Sequence, residues 1–170
     1  MKNRIIYFFI SFILIVIFIV LYRGLSKSKF YEPKSEIKNI PEFSTITFQN
    51  EEIESKNIFN ENKFYLMNIW SSWCVPCKQE HPILLSLSLN SQMVIIGLNY
   101  KDNINNSKKF LNELGNPYDM ILLDKDGTIS IEWGAYGVPE TFLIYKGKIL
   151  KRFIGPINNE TAQEIRKYLK

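Results

Sequence analysis

The sequence predicts an α/β fold: a mixed central sheet flanked by helices, with a transmembrane helix in front of it. Three observations lead there. From Phe43 onward, strand-like apolar runs alternate with helix-like segments. The chain ends in a hairpin followed by a helix, the arrangement expected of a mixed rather than a purely parallel sheet. Residues 5–22 form an apolar run broken only by Ser11 and carrying no charge, about long enough to span a bilayer.

That run is preceded by Lys2 and Arg4 and followed by Arg23, Lys27 and Lys29. The basic residues are balanced across it, so the positive-inside rule does not set its orientation. It exceeds the h-region of a cleaved signal and stays bulky to its end, Phe18-Ile19-Val20-Leu21-Tyr22, with no small-residue cleavage site behind it. The expectation is a retained anchor over residues 1–22, a polar linker over 23–40 with Pro33 inside it, and one folded domain over 41–170. Of the 21 basic residues, Lys2 and Arg4 precede the linker, leaving 19 against 17 acidic ones. Such a balance exerts no strong pull toward nucleic acid.

Within the domain, a short strand is expected near 43–48 and a longer one over 64–70. A helix follows Cys74 and runs to about Leu89. Residues 93–100 (Met93-Val94-Ile95-Ile96-Gly97-Leu98-Asn99-Tyr100) read as a buried strand. Asn105 or Asn106 caps a helix through Leu114, closed by Gly115 and Pro117. Residues 120–123 form a strand, Asp124-Lys125-Asp126-Gly127 a turn, and 128–133 a short helix. The Asp-rich turn hints at a calcium loop, but the pattern needs a glutamate where Ala135 stands. A proline turn then feeds a strand ending at Tyr145, Lys146-Gly147 turns the chain into a partner strand over 149–154, and a helix over 158–169 closes it.

The only two cysteines lie in Trp70-Ser71-Ser72-Trp73-Cys74-Val75-Pro76-Cys77, between the second strand and the helix. A helix N-terminus presents unpaired N–H groups and the positive end of the macrodipole, which favours thiolate over thiol. Cys74 is then the exposed nucleophile. Cys77, one turn on, is the buried residue that displaces whatever Cys74 has attacked. Pro76 lacks an N–H where none is needed. Zinc would require four ligands, and only His81 and carboxylates lie near. Copper(I), which favours thiolates, leaves a metal carrier as a rival to redox chemistry. Cys77 is followed by Lys78 rather than His, so the pair is not a haem attachment site. His81, the only histidine, is expected to pack rather than react.

Four stretches together carry a family resemblance: the Trp-Cys-x-x-Cys run, Gly97-Leu98-Asn99-Tyr100-Lys101-Asp102, Leu114-Gly115-Asn116-Pro117-Tyr118, and Gly134-Ala135-Tyr136-Gly137-Val138-Pro139-Glu140-Thr141-Phe142. With the anchor, they resemble the CcmG/DsbE family: thioredoxin-like, membrane-anchored periplasmic thiol–disulfide reductases of cytochrome c maturation. The resemblance implies a thioredoxin-like fold with a strand–helix insertion, here the helix near 105–114 and the strand near Met120. It implies that Trp73 borders and shields the reactive sulfur. It makes Pro139 a cis-proline facing the cysteines, with Val138 offering its backbone to a client chain. It places Glu80 and Glu140 in an acidic active-site surrounding, where a carboxylate opposes thiolate formation or takes the proton of Cys77.

The implied activity is reduction of client disulfides by the Cys74–Cys77 pair, with no cofactor. The implied clients are the haem-binding cysteines of apocytochrome c or a thiol protein of its maturation. The implied electron donor is a transmembrane thiol reductant, and the implied setting is a bacterial inner membrane crossed once, with the catalytic domain in the periplasm. A TlpA/ResA-like reductase serving another client, such as a copper-assembly protein, stands as the alternative beside the copper(I) carrier.

Overall fold

The computed structural model describes residues 2–26, 39–59 and 62–169. The chain divides into two units, Met1–Ser35 and Glu36–Lys170. In the first, helix α1 spans Lys2–Ser26, and its segment Arg4–Arg23 is long and apolar enough to cross a membrane. The helix thus runs past Tyr22, where the linker was expected to begin. Most of that linker lies outside the described residues.

The second unit contains β1 (Ser44–Ile46), β2 (Glu52–Glu54), α2 (Ser55–Ile58), β3 (Phe64–Trp70), α3 (Val75–Ser88), β4 (Met93–Tyr100), α4 (Ile104–Leu114), β5 (Met120–Asp124), α5 (Thr128–Glu132), β6 (Glu140–Tyr145), β7 (Lys148–Ile154) and α6 (Asn159–Tyr168). Five strands form one sheet in the order β5-β4-β3-β6-β7. β3, β4 and β5 are parallel, and the β6–β7 hairpin joins β3 antiparallel. The sheet is mixed, as expected, and the fold is thioredoxin-like.

β3 and β4 sit in the middle, and the pleat divides their side chains between two cores. Leu66 and Trp70 of β3 join Ile95 of β4, Leu143 of β6 and helix residues Leu84, Leu87 and Ile165 on one face. Tyr65, Met67 and Ile69 join Ile96, Leu98, Phe142, Ile144 and Trp133 on the other. Burial on both faces is why these strands read as continuous apolar runs. Gly97 of β4 makes room in the first core: a Cβ there would sit 2.7 Å from Trp70 Nε1 and 2.9 Å from the Tyr118 ring. Those two rings stack with centroids 5.3 Å apart.

Two local features depart from the sequence expectation. The cap of α4 is Asn103, whose Oδ1 accepts from the N–H groups of Asn105 and Asn106 at 2.9 and 3.3 Å. Any of the three asparagines can cap, and the extended backbone at Asn103 brings it first. The hairpin β1–β2 and the single turn α2 were not foreseen beyond one short strand. The hairpin lies along the outer edge of the sheet, where Thr45 Oγ1 donates to Leu123 O at 2.5 Å and Phe48 N to Ile121 O at 3.1 Å. It thereby covers backbone groups that an open edge strand would expose.

Candidate active site

The C-terminal end of β3 delivers the chain to the cysteines. Cys74 takes the N-cap position of α3 with extended backbone, and Pro76 falls in the first turn. Cys74 and Cys77 are joined in a disulfide. The N–H of Cys77 donates to Cys74 Sγ at 3.1 Å, the contact that a thiolate at this cap would strengthen. Cys74 does not stand exposed as expected. Both residues are buried, at 4% and 2% exposure, while their neighbours Trp73, Val75 and Pro76 are exposed. What distinguishes the two sulfurs is the hydrogen bond: the helix terminus serves Cys74.

Trp73 is 56% exposed, and its Nε1 donates to Lys101 O at 3.2 Å. The register of β3 against β6 sets Ile69 opposite Glu140, so β6 begins where β3 ends. The Val138–Pro139 bond, just before β6, is cis. Val138 is half-buried and packs against the cluster that holds both cysteines. The cis bond is the one the resemblance implies.

Glu80 follows Cys77 by one helical turn and is buried at 1% exposure. Its Oε1 accepts from Asn68 Nδ2 at 2.9 Å and its Oε2 from Ile157 N at 2.7 Å. Burial pushes its carboxyl up to about 7, against the opposing pull of those two hydrogen bonds. Asn68 lies at the centre of a network. Its Nδ2 also donates to Thr141 Oγ1 at 3.0 Å, and its Oδ1 accepts from the Tyr118 hydroxyl at 2.8 Å. Burial, then the charge of Glu80, raises the Tyr118 hydroxyl well above its ordinary value.

Glu140 is differently placed. Its Oε2 meets Arg152 Nε at 2.7 Å and Nη2 at 2.5 Å. Its Oε1 accepts from the N–H groups of Tyr136 and Gly137 at 2.6 and 3.2 Å. Oε1 thus holds the turn that leads to Pro139, while Oε2 is paired with Arg152 of β7. His81 is buried and its Nε2 meets Gly115 O at 2.8 Å. Burial lowers its pKa against the pull of that carbonyl, which is the packing role expected of it.

Asn68, Tyr118, Asp102 and Arg152 belong to the site's surroundings but were not singled out. Asn68 had a signal, a polar residue inside an apolar strand. The others acquire partners only through the fold: Asp102 is 30 residues from Ser72, to which it bonds.

A cysteine pair closed into a disulfide at a helix tip, on a sheet of this order and with a cis-proline just before β6, defines a class: the thioredoxin-like thiol–disulfide oxidoreductases. Comparison with known proteins narrows it. The family model described as Redoxin matches residues 36–169. A thiol:disulfide interchange protein DsbE of Pseudomonas aeruginosa is 36% identical over 154 residues, covering 89% of this chain and 85% of that one. The thiol:disulfide interchange protein CycY of Rhizobium leguminosarum bv. viciae is 43% identical over 105 residues, 61% of this chain, and the match spans only 56% of that relative's length. Among solved structures, a thiol-disulfide oxidoreductase from Bacteroides fragilis superposes with a TM-score of 0.67 at 21% identity, covering 78% of this chain and 100% of that one. The chain belongs to the Redoxin family and, within it, to the DsbE thiol:disulfide interchange proteins.

Proposed function

We propose that this protein is a membrane-anchored reductase of client disulfides, acting on the haem-binding cysteines of apocytochrome c or on a thiol protein of cytochrome c maturation. The domain works in the periplasm, held by α1 in the inner membrane, and a transmembrane thiol reductant regenerates the pair. The Cys74 thiolate attacks one client sulfur, the client disulfide breaks, and a mixed disulfide forms. Cys77 gives its proton to the Glu80 carboxylate and attacks Cys74 Sγ. The client sulfur bonded to Cys74 leaves, and both client sulfurs, the other having been released when the client disulfide broke, are protonated. Two electrons have passed to the client, and Cys74–Cys77 is oxidised.

Glu80 carries the reading. A buried carboxyl with a pKa of about 7, one turn from Cys77, exchanges its proton near neutral pH. When ionised it also disfavours thiolates nearby, which opposes the helix-terminal stabilisation of Cys74 and keeps the couple reducing. Trp73 and Val138 flank the pair and receive the client chain, Val138 through its backbone. Pro76 keeps the first turn of α3 in place. Glu140 shapes the Val138–Pro139 approach through its hold on Tyr136 and Gly137.

The test is reduction by the full chain of an oxidised peptide bearing Cys-x-x-Cys-His, against reduction of insulin. The proposal expects fast peptide reduction, poor insulin reduction, and a potential between about −200 and −270 mV, well below the strongly oxidising value near −120 mV. Brisk insulin reduction would instead favour a general TlpA/ResA-like reductase serving other clients.

A further inference from the structure

The segment entering the active site, Ser71-Ser72-Trp73, is bound residue by residue to the turn between β4 and α4. Ser71 Oγ donates to Tyr100 O at 2.5 Å, Trp73 Nε1 to Lys101 O at 3.2 Å, and Ser72 donates twice to Asp102. We propose that Asp102 is a positioning residue, which fixes this segment so that the Trp73 ring presents a preformed face to the client beside Cys74. The proposal rests on the reading of Trp73 as a client contact.

The Asp102 carboxylate accepts four hydrogen bonds and has no capacity to spare. Oδ2 takes Ser72 N at 2.5 Å and Asn99 Nδ2 at 3.1 Å, while Oδ1 takes Ser72 Oγ and Asn103 N, both at 2.8 Å. Such saturation suits holding rather than proton transfer. The anchor behind it is firm. Asn99 is buried and its Oδ1 accepts from Ser107 Oγ at 3.0 Å, which ties the group to α4. Lys101 adopts a left-handed backbone, φ 44°, and its N–H donates to Asp124 O at 2.9 Å. A non-glycine residue takes that conformation only where surroundings impose it. Here it accompanies a carbonyl spent on Trp73. Of the three clamped residues, Ser71 is buried, Ser72 half-buried and Trp73 exposed. The ring has one hydrogen bond of its own, to Lys101 O, and a tilted contact with the Tyr100 ring, centroids 6.5 Å apart, so both of its side-chain partners belong to the same turn. A contact surface held this way binds without first being ordered, and losing the hold raises the cost of binding.

The experiment is a double-mutant cycle on the full chain in detergent: Asp102→Ala, Trp73→Ala and both together, with Asp102→Asn and Ser72→Ala as milder variants. The readout is steady-state reduction of the oxidised Cys-x-x-Cys-His peptide, with thermal melting to verify the fold. Asp102→Ala and Trp73→Ala should each lower kcat/KM about tenfold, mainly through KM, and the double variant should be no worse than either alone. Asp102→Asn should recover part of the loss, because its amide oxygen still accepts from Ser72. If Asp102→Ala does not fold, Ser72→Ala must show the same KM effect in smaller measure. Losses that multiply in the double variant, or a normal KM in both Asp102→Asn and Ser72→Ala while Trp73→Ala raises it, would overturn the clamp. A normal KM in Trp73→Ala would overturn the client contact itself, and the clamp's purpose with it.

Discussion

At the scale of single residues, Glu80 governs how this protein responds to pH. Its ordinary value is 4.5 and its value in the fold is about 7. Between those two values the native chain holds a proton that the unfolded chain has released. Stability from this group is therefore complete below about pH 4.5, falls as pH rises through 7, and is level above, a total of about 3 kcal/mol. His81 acts in the opposite sense. Its pKa is lowered in the fold, so its share is lost as pH falls. Comparing the wild type with Glu80→Gln cancels the histidine. Urea midpoints should fall from pH 5 to 8 in the wild type relative to the variant, and curves that stay parallel would show that Glu80 is not held up. At this scale the sequence was partly legible. Cys74, Cys77, Val138 and Pro139 stood out as motif residues. Glu140 looked like a free acid beside the thiols because Arg152, 12 residues on, becomes its partner only when β7 folds back against β6. A helix tip is usually open, which makes an exposed Cys74 the natural reading, whereas in the fold the residue is buried.

At the scale of elements, the long buried strands were readable to the residue: 64–70 and 93–100 coincide with β3 and β4. Uninterrupted apolar runs leave little room for error. The region ahead of them was not readable. β1 and β2 have three residues each, too few to show a period, and what places them is the edge of β5. The helix and strand expected near 105–114 and Met120 are present as α4 and β5; β5 extends the sheet, and the turn leading into α4 carries Asp102. Gly97 shows how tightly β4 is fitted to the site. Its missing side chain lets Trp70 and Tyr118 stack, and the Tyr118 hydroxyl in turn orients Asn68 toward Glu80. Gly97→Ala should cost about 1–3 kcal/mol through overpacking. It should also disturb the pH dependence of the site, which an alanine elsewhere on the sheet should not. Unchanged stability and an unchanged pH profile would mean that the rings can move aside freely.

At the scale of the whole molecule, a 25-residue helix with a long apolar segment and a redox domain are encoded in one chain. The length and bulk of α1 argue that it stays attached, so the protein should resist alkaline extraction from membranes and keep its N-terminus. A soluble product beginning beyond Tyr22 would show cleavage instead. The proposed chemistry divides labour within the pair: Cys74 attacks and Cys77 resolves. Trapping tests it most directly. Reduced Cys77→Ala and Cys74→Ala variants are mixed with an oxidised Cys-x-x-Cys-His client, and the mixed disulfides are resolved on non-reducing gels. Mixed disulfides should accumulate with Cys77→Ala and be almost absent with Cys74→Ala; equal trapping by the two, or trapping by Cys74→Ala alone, would overturn this assignment.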